Sequence, residues 1–336
     1  MATFPFLVAS IALLAVLLVT ALTITRVRGL YVAAMLSSLF SLVAASLFVL
    51  LDAVDVALTE AAVGAGITTV LFITALALTR SREAITPRRR VVPAFLVAVV
   101  ATAGLVYATQ GLPPVGDPQS PVHEHPITEA YLEESQREID IPNTVTAVLA
   151  SYRGYDTLGE VVVIFTAGIA VLMLMLRGYG HPDQAAADAH LQAEYKVLRV
   201  VSKTLMPFIL LFALYVLLHG EYGPGGGFQA GVIFAAGFIL YTLMFGLTAV
   251  QRVLPMRTLV RVVPVGMLIF AGVGVLTMLL GGNFLGYDQL NPDEPSAGQQ
   301  AGILIVEIGV GITVAAVMVA MFYALVRRAV RRRTGA

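Results

Sequence analysis

The sequence predicts an all-α, polytopic helical membrane protein with about nine transmembrane helices, its N-terminus outside and its C-terminus inside. Three observations predict it. Of the 336 residues, 58% are hydrophobic and 12% are charged, whereas a soluble domain carries about 25% charged residues. The apolar residues fall into long runs, and a run of roughly 20 crosses a bilayer as a helix. Of the 21 Lys and Arg residues, all but Arg137 and Arg153 lie in alternate loops between those runs. Short loops rich in Lys and Arg stay on the cytoplasmic side, so these loops set the orientation.

The runs give nine spans in order. The first, 4–24, has no basic residue before it and Arg26 and Arg28 after it. That is the reverse of a secretory signal, and the span is read as retained. The second, 31–51, returns to the outside. The third, 53–79, re-enters and ends on Arg80 and Arg82, and the fourth, 91–110, starts from Arg88 to Arg90. Residues 111–143 then form an outer loop, Pro-rich at first and acidic later, with a Glu-rich helical stretch from Ile127 to Asp140. The fifth span, 156–176, ends on Arg177. Residues 181–203 form an inner loop that reads, from Pro182 and Asp183 onward, as an amphipathic helix at the interface. Spans six and seven, 204–220 and 227–250, are joined on the outer side by a glycine-rich turn. The eighth, 258–280, follows Arg252 and Arg257, and the ninth, 300–326, ends on Arg327, Arg328 and Arg331 to Arg333.

Composition excludes several functions. Formal net charge is zero, with the basic groups inside and the acidic groups outside, a pattern of membrane insertion and not of nucleic-acid binding. The chain has no cysteine, which removes disulfides, thiolate metal sites and Cys-ligated iron–sulfur clusters.

Ionisable side chains inside spans are costly, so each asks for a reason. The clear cases are Glu60, Glu160 and Glu307. The topology places each roughly 6–11 Å inside the outer boundary, at 1.5 Å rise per residue. No Lys or Arg lies in the core of any span to neutralise them. Three fates are open: protonation, a hard cation held among oxygens, or a positive charge from a partner chain. The bland alternative is a neutral, hydrogen-bonded acid at a helix interface. Asp156 and Glu160 are four apart and share a helix face, with Thr157 beside them. For Asp156 alone, a helix N-cap is the competing role. Gly64 and Gly66 follow Glu60 by one turn, where glycine permits either a π-bulge or a close helix contact.

The run from His219 to Gln229 contains Glu221, Pro224, Gly225, Gly226 and Gly227. It lacks the Gly-Lys-Ser/Thr ending of a phosphate loop. It reads as a tight re-entrant turn, tolerable where its backbone is buried in protein or lines a cavity. Gly227 and Gly231 make a G-x-x-x-G helix contact. The tripeptide His123-Glu124-His125 lacks helical ligand spacing and reads as a solvated loop, so no metal site is expected.

Taken together these segments resemble a known family. Residues 52–69, DAVDVALTEAAVGAGITT, resemble the small D-type subunit of membrane-bound hydrogenases and the late region of the large A-type subunit of Mrp-type cation/proton antiporters. Residues 152–160, YRGYDTLGE, resemble the F-R-G-F-D-T-x-G-E signature of the hydrogenase E-type subunit, with Tyr152 and Tyr155 in place of Phe. Residues 219–231, HGEYGPGGGFQAG, resemble the H-G-x-x-x-P-G-G-G-F-x-x-G signature of the antiporter's B-type subunit, MnhB. The expected blocks are a hydrogenase-D-like four-helix block at 1–110, the outer loop at 111–143, a hydrogenase-E-like block at 144–180, the cytoplasmic interfacial segment at 181–203, and an MnhB-like four-helix block at 204–336. The bulk of the A-type subunit, with its mid-membrane Lys and Glu, is absent.

The resemblance implies a subunit of a multisubunit antiporter that exchanges sodium or another monovalent cation for protons, in the plasma membrane of a prokaryote. It implies other membrane subunits as partners, no resident cofactor, and sodium and protons as cargo. Glu60, Asp55, Asp156, Thr157, Glu160 and Glu307 are then ion-path candidates, with Glu60 and Glu160 expected together and Glu307 facing a neighbouring helix or subunit. His219, Glu221, Pro224, Gly225 and Gly226 would shape the outer mouth or a contact between subunits. The D-like block also favours a π-bulge near Gly64 and Gly66. Rival readings are the same cassette in a membrane-bound hydrogenase or other redox-driven respiratory complex, a structural scaffold, and a self-sufficient transporter.

Overall fold

The computed structural model describes residues 4–79, 88–114, 116–176 and 196–334. Among them are nine helices long and apolar enough to cross a membrane. In chain order these are α1 Phe4–Arg26, α2 Leu30–Leu50, α3 Val54–Leu76, α4 Arg88–Thr109, α5 Gly154–Leu176, α6 Lys196–His219, α7 Gly227–Phe245, α8 Met256–Leu279 and α9 Pro295–Thr334. The described residues contain no β-strand. The protein is a multi-pass membrane protein.

Helix α9 is the axis of the molecule. It packs against α5, α7 and α8, and its Val306, Val314, Val317, Ala320, Phe322 and Tyr323 belong to the fully buried core. Glycines set the close approaches. A Cβ at Gly231 would fall 2.7 Å from the Gly311 carbonyl oxygen, and one at Gly266 would fall 2.2 Å from the Gly309 carbonyl oxygen. In lipid no hydrophobic difference drives helices together, so tight backbone packing of this kind supplies the attraction. The expected Gly227/Gly231 contact is therefore present, against α9.

Helices α1, α2 and α3 form the adjoining antiparallel layer. Helix α3 does not run regularly: residues Ala61–Ile67, which include Gly64 and Gly66, form a π turn. A π turn frees a carbonyl from its normal partner. Here the Ala65 carbonyl accepts from Ser38 Oγ of α2 at 2.8 Å and from Thr69 Oγ1 at 3.1 Å. Helix α4 stands apart, with none of its span buried.

Several boundaries differ from those read in the sequence. Lys196 to Lys203, expected in an interfacial helix, are the opening turns of α6; Pro182 and Asp183 lie outside the described residues. The seventh span stops at Phe245 because Gly246 adopts φ +89°, and a separate short helix, Leu247–Val253, follows. The ninth helix is 40 residues long, about 60 Å at 1.5 Å per residue, so it projects well beyond a hydrocarbon core of about 30 Å. Two helical pieces, Thr144–Thr146 and a π turn at Ala147–Tyr152, precede α5. They are tucked in the protein, with Ala147 and Ala150 buried and the Ala150 carbonyl accepting from Tyr287 Oη at 3.0 Å. The stretch Pro126–Glu138 is helical, with a π turn at Ala130–Glu134.

Candidate functional site

The N-terminal parts of α3, α5, α7 and α9 frame a cavity of about 300 Å³. Each contributes oxygen. From α3 come Asp55 and Thr59, one turn apart on one face. From α5 come Thr157 and Glu160, from α7 Gln229, and from α9 Glu307; the backbone of Gly225, Gly226 and Gly227 closes one wall. Most of the remaining lining is apolar, including Val56, Leu149, Phe228, Phe270, Val306 and Val310.

Glu307 is the deepest acid. It is 8% exposed, and its Oε2 has no hydrogen-bond partner among the described residues. The glycine turn rests on it: a Cβ at Gly226 would fall 2.9 Å from Glu307 Oε1, and one at Gly227 would fall 2.0 Å from the Glu307 carbonyl oxygen. Gly226 also holds φ +119°, a backbone state open chiefly to glycine. Those two constraints explain why the turn is built from glycines. Its re-entrant reading agrees with this burial against α9.

Asp55 lies at the first turn of α3, and its Oδ1 accepts from the Gly225 amide at 3.3 Å and from Asn143 Nδ2 at 3.3 Å. Gln229 Nε2 donates to Thr59 Oγ1 at 2.8 Å, which ties α7 to α3. Thr157 Oγ1 donates to the Leu149 carbonyl at 2.6 Å, which fixes the start of α5 under the preceding π turn.

The structure thus brings together Asp55, Thr157, Glu160 and Glu307 from the sequence candidates, and leaves others out. Glu60 does not line the cavity. Its carboxylate sits beside Ser41 and Gly64, on the side of α3 that faces α2. Five residues of α-helix rotate by about 500°, so Glu60 points about 140° away from Asp55. The expected partnership of Glu60 with Glu160, with Glu307 elsewhere, is therefore corrected: Glu307 shares the cavity with Glu160 and Glu60 does not. Asp156 is exposed and paired with Arg153, by an Nε–Oδ2 bond of 2.7 Å and an Nη2–Oδ2 contact of 2.5 Å. It lies within the first turn of α5 and not at the N-cap.

At the turn between α6 and α7, His219 stacks on Tyr215 and Tyr222 at centroid distances of 4.8 and 6.2 Å, and Pro224 is exposed. Glu221 is half-buried, and burial pushes its carboxyl above the usual range. Among the described residues no group of three His, Cys, Asp or Glu forms a metal cluster. Sequence reading missed Asn143, Thr146, Thr59 and Gln229. Asn143 carried one usable signal, an Asn before an apolar run, which is a helix-start mark.

A model described as a domain related to the MnhB subunit of Na+/H+ antiporters matches residues 197–320. Models for MbhD and MbhE, the D-type and E-type subunits of MBH, match residues 15–81 and 88–193. The putative antiporter subunit mnhB2 of Staphylococcus haemolyticus (strain JCSC1435) is 34% identical over 131 residues, covering 38% of this chain and 92% of that protein. The chain belongs to the Mrp-type antiporter subunit family. It joins MbhD-, MbhE- and MnhB-type segments in that order, and the cavity lies where the three meet. The probable K(+)/H(+) antiporter A/B subunit of Rhizobium meliloti (strain 1021) is 30% identical over 228 residues, 61% of this chain. The Mrp-type chain spans 22% of that relative's length. The Mrp complex from Dietzia sp. DQ12-45-1b shares its fold, at TM-score 0.73 and 24% identity over 94% of this chain and 34% of the solved chain. The membrane-bound sulfane sulfur reductase, an archaeal respiratory membrane complex, matches at TM-score 0.54 and 26% identity, over 70% of this chain and 98% of the solved one.

Proposed function

We propose that this chain is a membrane subunit of a multisubunit monovalent cation/proton antiporter and supplies the outer part of its ion path. One observation carries the reading. Three carboxylates, Asp55, Glu160 and Glu307, from three separate helices, converge on one cavity whose remaining wall is largely apolar. Like charges so placed repel unless a proton or a cation is shared between them, and exchange of one for the other is what an antiporter does. Threonine hydroxyls and a glutamine amide beside them are hard donors and ligands suited to sodium or potassium. The names of the relatives, Na+/H+ and K+/H+ antiporter subunits, support the same activity. Sodium is the cargo we expect first, with no resident cofactor needed.

Below the cavity, α9 presents mostly apolar side chains, interrupted by Thr313 and Tyr323, until Arg327. We assign the inner continuation of the path to partner subunits of the same complex, and the large exposed apolar surfaces of α1 and α4 to contact with lipid and those partners.

Replacing Glu160 by Gln keeps shape and hydrogen bonding and removes the titratable charge. In membranes containing the assembled complex, cation-driven proton flux should fall by about tenfold or more. Wild-type flux in an assembled variant would remove Glu160 from the path. The likeness to the sulfane sulfur reductase favours a second reading, the same cassette in a redox-driven complex. Purification of the native assembly separates the two: antiporter-type subunits alone support the first, and iron–sulfur subunits the second.

A further inference from the structure

Asn143 is tied to more parts of the site than any residue that lines it. Its side chain is nine-tenths buried, at 8% exposure. Its Oδ1 accepts from the amides of Val145 at 2.9 Å and Thr146 at 3.3 Å, an N-cap on the helical piece before α5. Its Nδ2 donates to the Gly223 carbonyl at 2.9 Å, the Gly220 carbonyl at 3.1 Å and, in the longest of the three contacts, Asp55 Oδ1 at 3.3 Å. Its amide donates to the Glu221 carbonyl at 3.0 Å. Thr146 Oγ1 adds a bond to the Gly220 carbonyl at 2.7 Å.

We propose that Asn143 is a positioning residue that latches the glycine turn of the MnhB-type segment to Asp55 of the MbhD-type segment, and so sets the mouth of the cavity. This rests on the reading of the cavity as an ion site. The argument is one of donors. With the Gly220 and Gly223 carbonyls held by Asn143 and Thr146, the turn presents the Gly225 amide to Asp55. The Gly225 amide and, through an Nδ2 hydrogen shared with a glycine carbonyl, Asn143 then meet at Asp55 Oδ1, which restrains the carboxylate's rotation and leaves Oδ2 for a proton or cation. A buried side chain with fully used hydrogen bonds costs most when one end is altered, because the partners stay behind unsatisfied.

Residue chemistry separates this role from simple capping. Asp and Ser cap helices about as well as Asn, but neither can supply an amide Nδ2. Asn143→Asp moreover places a second carboxylate against Asp55 and two carbonyl oxygens. A capping role predicts wild-type exchange in both variants. The latch predicts that the half-saturating sodium or potassium concentration rises by roughly tenfold for Asn143→Asp. It predicts a smaller rise for Asn143→Ser, and a rise in the same direction for Thr146→Val.

The experiment uses membrane vesicles holding the full complex, with the amount of each subunit measured in every preparation. Proton flux is driven by NaCl and KCl titrations over a range of pH. Asp55→Asn is measured alongside. If Asp55→Asn abolishes exchange and the three latch variants, assembled at wild-type levels, keep wild-type half-saturation, the latch is wrong and the site reading stands. If Asp55→Asn is itself silent, the site reading falls and the latch with it. A failure of Asn143→Asp to assemble leaves Asn143→Ser and Thr146→Val to decide in the same way.

Discussion

At the scale of single residues, the acids of this chain divide by rotation about their helices. Asp55 and Thr59 face the cavity, while Glu60, one residue further on, faces Ser41 and Gly64. Glu221 shows how burial acts in the turn between α6 and α7. Its carboxyl is raised by desolvation, so the folded state holds the proton more tightly than the unfolded chain does. The sign is the opposite of a salt-bridged acid. Ionised Glu221 costs stability above its folded pKa, and that cost fades as pH falls towards the unfolded value near 4.3. Glu221→Gln should therefore raise the thermal midpoint of the purified assembly at pH 8, with the gain shrinking on acidification towards pH 4. A midpoint difference that stays constant with pH would refute the assignment. That acids sit within spans was legible in the sequence, because the hydropathy runs bound the helices. Rotation was not, since a five-residue interval and a following π turn decide which side of a helix is polar. Asn143 and Gln229 were illegible as site residues because their partners lie 77 to 170 positions away.

At the scale of elements, the π turn in α3 and the glycine seams of α9 carry the packing. The nine spans were legible because hydropathy and basic loops repeat along the whole chain. The helical pieces at 144–152 and the break at Gly246 were not, since both depend on tertiary contacts and one positive φ. The π turn rested on family resemblance, as glycine alone also fits plain close packing. Two glycines inside it make a matched test. A Cβ at Gly64 would fall 2.5 Å from Ser41 Oγ and 2.6 Å from Glu60 Oε1, whereas one at Gly66 meets only the Ala61 carbonyl at 3.4 Å. Gly64→Ala should displace both side chains and destabilise the α2–α3 layer by about 1–3 kcal/mol. Gly66→Ala should be within about 0.5 kcal/mol of wild type. Denaturation of the two variants in detergent compares them directly, and equal stabilities would contradict the contact between α3 and α2.

At the scale of the whole molecule, three family segments in one chain meet at one cavity. The distribution of charge argues for an outer N-terminus and an inner C-terminus. Because the chain has no native cysteine, single cysteines report topology without background. Ser120→Cys should react with an impermeant thiol reagent in intact cells, and Ala329→Cys only after permeabilisation; the reverse pattern would invert the orientation. The central claim is that Asp55 and Glu307 serve one ion site. The most direct measurement is a double-mutant cycle of Asp55→Asn and Glu307→Gln, read as cation-driven proton flux in the assembled complex. One shared site predicts that each single variant loses most of the flux and that the double variant is little worse than either, a clear departure from additivity. Singles with wild-type flux, or losses that simply add, would contradict it.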